Sequence, residues 1–458
     1  MKVDRKSIFV LLTLGFLFSC APTPQQIVSE KPITPPVDSV SEKVKGSTVR
    51  LVSLFGTKIH IGSGFFVARD KIATNIHVVA PPGPIFAKLV DKKTVWAVKN
   101  VTAYDVEYDL VILKISGEGT PLQLGDSDAI RHGEPVSAVG FPSGIYKVMP
   151  GRVINTRNSN KRIQTTANTR GGNSGGPLLN SKKQVIGIHV GRDEAIPSNV
   201  LKALLSQPTR IEPIAQWRNR ELIRAYAYFV LGKTKVAEED YDEGMVDLNK
   251  ALQLNPNFIY AYYARGIAKS NLGDYNGAIA DYDKYIQVNS EDAEAYRDRA
   301  IAKFGLGDSK AEQGNTEAAR SLYEAATEDY VNAIRLNPDR HHVYNYLMQR
   351  RYLFAQFEAE AGNMAGARKL YHEAIVDSEK AIQRDPDNIH AYHTRAKAKV
   401  ALGDAKDAIR DFDKLIWMGP KFAKYYYERG RAKETLGQHE AAKSDFDKAK
   451  ELDPDVGQ

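Results

Sequence analysis

Apolar positions follow two different patterns along the 458-residue chain. In the first part they form short runs typical of buried strands, as at 62–67, 72–79 and 108–115. Beyond about residue 220 they recur with a helical period, and the sequence becomes self-similar. The pattern therefore predicts an all-β region followed by an all-α array.

A short closing signature divides the helical region into repeats. It reads Leu-Asn-Pro at 254–256 and Leu-Asp-Pro at 452–454, and its proline stops one helix before the next begins. Counting between such positions predicts six units, four of 34 residues and two of 48. The predicted units are 225–258, 259–292, 293–340, 341–388, 389–422 and 423–456.

The 34-residue units carry small and aromatic residues at fixed offsets, for example Gly266, Gly273, Ala278 and Tyr282 in the second unit. They resemble tetratricopeptide repeats. The resemblance implies an all-α solenoid of helix pairs whose concave groove suits an extended peptide or a partner helix. The two longer units have 14 extra residues each, which predicts about seven more residues in each of their helices.

The strongest chemical signal is the run Gly-Asn-Ser-Gly-Gly-Pro at 172–177, which places Ser174 in a glycine-rich loop. Glycines allow a sharp turn in which neighbouring N–H groups converge, so one loop can supply both a nucleophile and an oxyanion hole. His77 lies upstream in a strand-like run, and Asp109 opens the next such run. The order His, Asp, Ser is that of chymotrypsin rather than of the subtilisins or the α/β-hydrolases.

The segments around His77, Asp109 and Ser174 resemble the three catalytic blocks of bacterial trypsin-like serine peptidases, of the Deg type and the secreted glutamyl endopeptidases. The resemblance covers residues from about 48 to 205 and implies an all-β double barrel. It also implies that Ser174 attacks the peptide carbonyl, that His77 transfers the proton and that Asp109 holds the imidazole. The backbone N–H groups of Gly172 and Ser174 would bind the oxyanion.

The same resemblance suggests a substrate pocket. Glutamyl endopeptidases bind an acidic side chain with a Thr five residues before the nucleophile and a His fifteen residues after it, and these offsets correspond to Thr169 and His189. A hydroxyl and an imidazole donor facing a carboxylate discriminate well when water is excluded. The alternative is that His189 is a partly buried strand histidine with no contact to the substrate.

Two other functional hypotheses stay open at this point. In one, the peptidase fold is a silent module and the protein acts as a binding scaffold; the complete His-Asp-Ser set argues against this hypothesis. In the other hypothesis, the array covers the active site until a partner binds.

The N-terminus has the basic start and short apolar core of an export signal over residues 1–19. Leu-Phe-Ser-Cys at 17–20 resembles a bacterial lipobox, in which Cys20 becomes the lipid-modified first residue of the mature chain. Ala21 after it resembles the pattern sent to the outer membrane, which predicts an anchored protein facing the periplasm. The alternative is ordinary secretion with Cys20 removed.

Composition and charge limit the kinds of partner and cofactor that the chain is expected to bind. Cys20 is the only cysteine, so the exported chain can form no internal disulfide. The net charge of +7 falls to +5 without residues 1–19, which carry three positive groups and one negative, and gives no reason to expect nucleic acid as a partner. We find no credible metal-ligand spacing and expect no cofactor. The expected partners are protein or peptide substrates, a protein in the repeat groove, and the membrane through the lipid alone.

The predicted organisation is a signal (1–19), a proline-rich tether (20–45), a trypsin-like domain (46–205), a linker (206–224) and the repeat array (225–456). We therefore expect a multidomain protein in which an all-β double barrel precedes an all-α solenoid. The expected function is that of a cell-envelope serine endopeptidase whose array recruits substrates or partner proteins.

Overall fold

The computed structural model describes residues 42–457 apart from 56–57, 91–94, 157–160, 168, 170, 192 and 339–340. The predicted signal, Cys20 and most of the tether lie outside the described residues. The described part begins with helix α1 (Glu42–Ser47), in which Val44 is buried. Residues 42–45, the last of the predicted tether, therefore belong to a helix.

The first β-sheet contains β1 (Thr48–Phe55), β2 (Lys58–Ala68), β3 (Lys71–Asn75), β4 (Ile85–Leu89), β5 (Val95–Ala97), β6 (Asn100–Asp105), β7 (Leu110–Lys114) and β14 (Glu212–Pro213), with the short helix α2 (Ile76–Val79) between β3 and β4. Strand β4 alternates buried and half-buried residues, because one of its faces packs on the core. The sheet is entirely antiparallel and has the strand order β14-β6-β7-β3-β2-β1-β4-β5.

The second sheet closes into a barrel with the order β10-β13-β12-β11-β8-β9. Its strands are β8 (Pro135–Gly140), β9 (Lys147–Asn155), β10 (Ile163–Thr165), β11 (Pro177–Leu179), β12 (Val185–His189) and β13 (Glu194–Pro197). Helix α3 (Ser198–Leu205), the strand β14 (Glu212–Pro213) that returns to the first sheet, and helix α4 (Ile214–Arg218) follow. The first sheet, unlike the second, is not closed within the described residues, where it ends in the short strands β5 and β14.

Twelve helices follow within the described residues, and consecutive helices pack as six pairs. They are α5 (Glu221–Ala237), α6 (Tyr241–Leu254), α7 (Ile259–Asn271), α8 (Tyr275–Val288), α9 (Ala293–Glu312), α10 (Thr316–Leu336), α11 (His341–Glu360), α12 (Met364–Arg384), α13 (Ile389–Leu402), α14 (Ala405–Met418), α15 (Ala423–Thr435) and α16 (His439–Leu452). The all-β region followed by an all-α array confirms the predicted fold class.

The four helices α9 to α12 are longer than their neighbours. They contain 20 or 21 residues, against 13 in α7 and 14 in α8. The extra length of the two 48-residue units is therefore divided equally between their helices, as the sequence predicted. In the described part of the chain, no helix combines the length and the apolar character needed to cross a membrane.

A buried aspartate joins the two helices of most repeats. Asp281 of α8 accepts hydrogen bonds from Arg265 (2.8 Å) and Lys269 (2.9 Å) of α7. A buried carboxylate is tolerated here because two cations face it and one of them is a bidentate guanidinium. The same arrangement recurs at Asp329, Asp411 and Asp445.

Residues 206–224, which the sequence predicted to be a linker, are folded against the first sheet. Strand β14 pairs with β6, and Trp217 of α4 is fully buried with its ring 5.9 Å from that of Tyr104. A single hydrophobic core runs from the first sheet through Trp217 to Leu248 and Ala264 in the first two repeats. The β-region and the array therefore share a core instead of being separated by a free connection.

Candidate active site

The first sheet brings His77 and Asp109 together through the pairing of β3 with β7. Asn75, at the end of β3, lies opposite Leu110 at the start of β7. His77 follows in the short helix α2, and Asp109 immediately precedes β7. The Asp109 carbonyl accepts from the Ile76 N–H (3.1 Å) and from the Asn75 side chain (2.9 Å). The two predicted catalytic residues are thus held by the backbone of adjacent strands.

Asp109 occupies the left-handed region of backbone space, with φ of +57°. Asp is among the few residue types other than glycine that adopt this conformation, because its short polar side chain can bond locally. Here both carboxylate oxygens are used: Oδ1 accepts the backbone N–H of His77 (3.0 Å) and Oδ2 pairs with its Nδ1 (2.5 Å). The unusual backbone conformation aims the carboxylate at the imidazole.

The pair leaves one imidazole nitrogen available for chemistry. An ionised carboxylate can only accept, so Nδ1 of His77 carries the hydrogen and Nε2 keeps its lone pair. The Asp109 side chain is 7% exposed and that of His77 is 23% exposed, so the acid is screened from water while the base reaches the cavity. This is the arrangement that a general base requires.

Ser174 is held in a loop pinned by hydrogen bonds on both sides. Its carbonyl accepts from the Ser63 N–H (2.8 Å), and the next residue, Gly175, donates to the His189 carbonyl (2.8 Å). Gly172 and Gly175 have φ of +102° and +85°. A Cβ at Gly172 would meet the Phe141 carbonyl oxygen at 2.3 Å, and one at Gly175 would meet the Ser63 carbonyl oxygen at 2.2 Å. Only glycine fits either position.

The orientation of the peptide bond between Gly171 and Gly172 is fixed by a hydrogen bond. The Gly171 carbonyl accepts from the Ser143 N–H (3.2 Å), and the N–H of a trans peptide points the opposite way. The Gly172 carbonyl is held by the Ser63 hydroxyl (2.6 Å). Among the described residues, the N–H groups of Gly172 and Ser174 donate to no backbone carbonyl. These are the two N–H groups that the sequence predicted to bind an oxyanion.

The three predicted catalytic residues line one cavity of about 370 Å³. Ser174 is half-buried there. No hydrogen bond joins its hydroxyl to His77 in this structure, and such bonds commonly form only once substrate is bound. Val190 and Gly191, which follow β12, complete the wall on the side of the closed barrel. No group of three or more His, Cys, Asp or Glu side chains in the described part of the chain could hold a metal ion.

Thr169 and His189 are not brought to this cavity. Both are buried, at 1% and 0% exposure, and neither is among the residues that line it. The Thr169 hydroxyl donates to the Gly191 carbonyl (3.1 Å). Burial lowers the pKa of His189 from 6.5 to about 4, an effect partly offset by the backbone at Glu194, so the ring is neutral near pH 7. The position of His189 is that of a strand histidine in the core.

The buried His189 predicts an acid-sensitive fold. Between pH 6.5 and about 4 the unfolded chain binds a proton at this residue that the folded protein does not bind, so stability falls as the pH is lowered through this range. We expect this residue to account for about 3 kcal/mol of the loss. Denaturant unfolding at pH 7 and pH 4 should show a smaller loss in His189→Gln than in the wild type.

The matched control is His439→Gln, because His439 is exposed. It should keep the wild-type pH dependence. An equal loss of stability on acidification in His189→Gln and the wild type would show that His189 does not titrate as its burial requires.

The sequence did not predict the residues that the array contributes to the catalytic cavity. Tyr226, Phe229 and Val230 of α5 line it, together with Phe258 at the end of the first repeat and Tyr260 at the start of the second. A signal was present, since Tyr226 and Tyr260 are 34 residues apart and so occupy the same position in successive repeats. That periodicity shows a shared face of the array but not what the face contacts.

Known proteins match both halves of the chain. The family model of the trypsin-like peptidase domain matches residues 62–188. Models of the tetratricopeptide repeat match residues 225–258, 248–280, 302–333 and 423–456. The chain therefore carries a trypsin-like peptidase domain followed by tetratricopeptide repeats, which confirms the two resemblances seen in the sequence.

Curated relatives include proteins described as probable periplasmic serine endoproteases, DegP-like. The one from Hahella chejuensis is 36% identical over 165 residues, covering 32% of this chain and 35% of the relative. The one from Chlamydia trachomatis is 35% identical over 166 residues, covering 32% and 33%. This chain thus spans about a third of the length of the curated relatives it matches.

Two solved structures are similar to part of the chain. An HtrA-type protease with a tripeptide shows 28% identity and a TM-score of 0.32, over 36% of this chain and 60% of that chain. The Rv3671c protease from M. tuberculosis, in its active form, shows 23% identity and a TM-score of 0.33, over 41% and 96%.

Proposed function

We propose that this protein is a lipid-anchored serine endopeptidase of the cell envelope, with His77, Asp109 and Ser174 as its catalytic residues. The observation that carries the proposal is the cavity that Ser174 lines together with the paired His77 and Asp109. The N–H groups of Gly172 and Ser174, in the loop that carries the serine, donate to no backbone carbonyl among the described residues. Relatives of the peptidase domain are named as periplasmic serine endoproteases, which supports both the reaction and the compartment.

Peptide hydrolysis follows from the positions of these groups. Asp109 accepts the Nδ1 hydrogen, so Nε2 of His77 takes the proton of Ser174 as Oγ attacks the carbonyl carbon. The N–H groups of Gly172 and Ser174 donate to the oxygen that becomes negative. Each such donor lowers the activation free energy by about 3–4 kcal/mol. His77 then gives the proton to the leaving amine, and water releases the acyl group by the same steps.

The proposed location rests on the N-terminal sequence. Cys20 in Leu-Phe-Ser-Cys would carry the lipid, and Ala21 after it favours the outer membrane. The proline-rich residues that follow would hold the peptidase domain away from the bilayer, on its periplasmic side. The repeat array would recruit the substrate or a partner protein, as stacked helix pairs commonly do.

A fluorophosphonate probe tests the proposal, because it reacts only with an activated serine. The full-length wild type in cells should be labelled at Ser174 and should sediment with outer membranes. Ser174→Ala should not be labelled, and Cys20→Ser should be labelled but released from the membrane. A folded wild-type protein that stays unlabelled would instead support the silent scaffold.

A further inference from the structure

The catalytic cavity has one wall from the peptidase domain and another from the repeat array. His77, Ser174 and Val190 lie on the first wall, and Phe229, Val230 and Phe258 are among the residues on the second. A substrate that reaches Ser174 therefore enters a space that both parts of the chain enclose.

The array wall is mainly apolar. The ring of Phe258 lies 4.5 Å from that of Tyr226 and 4.8 Å from that of Phe229, so the three rings form one aromatic surface. Phe229 and Val230 are only half-buried, which leaves apolar surface facing the cavity. Covering such surface with an apolar side chain is favourable in proportion to the area removed from water.

The charged side chains around the cavity balance one another. Lys233 also lines the cavity, and its ammonium lies 5.9 Å from the centre of the Phe229 ring in a cation–π contact. Arg162, 4% exposed, lines the same cavity from the closed barrel. Glu194 and Asp109 also line the cavity, and the Glu194 carboxylate lies 3.9 Å from the Arg162 guanidinium. Two anions thus match the two cations, so charge does not select the substrate side chain and the apolar surface sets the preference.

Direct hydrogen bonds hold the array wall in place relative to the catalytic residues. The Tyr226 hydroxyl donates to the carbonyl of Val106, three residues before Asp109 (2.9 Å). Arg218, which precedes α5, donates to the carbonyl of Val79 at the end of the helix that carries His77 (2.9 and 2.7 Å). The wall is thus preformed, so binding an apolar side chain there costs little ordering.

We propose that the first repeat forms a specificity subsite of the peptidase, in which Phe229, Val230 and Phe258 bind an apolar side chain of the substrate close to the scissile bond. This inference rests on the proposed serine endopeptidase function. A compact cavity of about 370 Å³ is about 9 Å across, which is the length of about three residues of an extended chain. The subsite therefore serves a residue within about three positions of the cut.

Peptide-library cleavage by the full chain without its lipid tests the subsite. The wild type should prefer an apolar residue over Ala, at one position near the cut, by at least about tenfold in kcat/KM. In Phe229→Ala the ratio of kcat/KM for the apolar residue to that for Ala should fall to about threefold or less. Val230→Thr should lower this ratio, and Phe229→Leu should keep it. Fluorophosphonate labelling of Ser174 is measured in parallel, because it distinguishes a variant that has lost only its preference from one that has lost the activated serine.

Tyr427→Ala is the matched control. Tyr427 has the same position in the sixth repeat as Phe229 has in the first, is likewise half-buried, and does not line the catalytic cavity. It should leave both the preference and the labelling rate unchanged.

Two results would overturn the subsite. One is a wild type whose Ser174 is labelled but which shows no apolar preference, or folded Phe229→Ala and Val230→Thr variants that keep the preference. Either finding would refute the subsite and leave the peptidase function unaffected. Absence of labelling in the folded wild type would refute the peptidase and the subsite together.

Discussion

Asp109→Asn is expected to lower kcat by about 10⁴-fold while the protein stays folded. In the structure, both carboxylate oxygens of Asp109 accept hydrogen bonds from His77, one from its backbone N–H and one from Nδ1. An asparagine has a single side-chain acceptor, so its NH₂ group must face one of these two donors. If it faces the imidazole, the hydrogen moves to Nε2 and His77 can no longer take the proton of Ser174.

The fold should tolerate this change for three reasons. Asparagine is close to aspartate in size, adopts the left-handed conformation that φ of +57° requires, and keeps the backbone carbonyl that Ile76 and Asn75 bind. Thermal unfolding should therefore show a small change in Tm, while peptide hydrolysis should be almost lost.

Asp105→Asn serves as the control, because Asp105 lies on the neighbouring strand and caps the Tyr108 N–H (3.1 Å) without contacting His77. Its activity should stay within a few-fold of the wild-type value. Activity of Asp109→Asn within tenfold of the wild type would rule out Asp109 as the residue that orients the base.

Removing the array, by ending the chain after Asn219, is expected to destabilise the peptidase domain and inactivate it. The array packs on the same core as the first sheet, so the truncation uncovers apolar surface around Val79, Tyr104 and Trp217. It also removes the Tyr226 hydroxyl from the carbonyl of Val106, close to Asp109. Exposing several large side chains costs about 1.5–3 kcal/mol for each, a large part of the 5–15 kcal/mol that stabilises a typical domain.

Thermal unfolding and peptide hydrolysis of the truncated and the full chain would measure this effect. A chain ending after Leu336 is the control, because it keeps the first three helix pairs and every array residue that lines the catalytic cavity. It should stay active. The hypothesis that the array covers the active site predicts the opposite for the chain that ends after Asn219, namely an unchanged Tm and faster hydrolysis.

The local pattern of apolar residues predicted the fold class of both halves of the chain. Strand-like runs around His77 and Asp109, and the helical period beyond residue 220, correspond to the sheets and helix pairs observed. The sequence also predicted that α9 to α12 are longer than the other helices, because their length follows from the number of residues between closing signatures. These features depend on residues that are neighbours in the chain, so tertiary packing had little scope to change them.

The stretch 206–224 shows where such patterns fail. Trp217 and the two-residue strand β14 are too isolated to form a periodic signal, so the stretch read as a linker. Their structure comes from contact with β6 and Tyr104, which are about a hundred residues earlier in the chain. Likewise, the offsets that suggested a pocket at Thr169 and His189 do not show that both side chains are buried in the core.

The sequence by itself determined the chemistry that this protein can attempt: a serine in a glycine-rich loop, preceded by a histidine and an aspartate in the order of a known peptidase family. It also determined the repeated architecture of the second half, because each repeat carries its own helix signals. Only the tertiary structure decided that the first repeat faces Ser174 and that the two halves share a core. The reason is physical: which surfaces meet depends on shape and burial summed over distant segments, and no short stretch of sequence contains that sum.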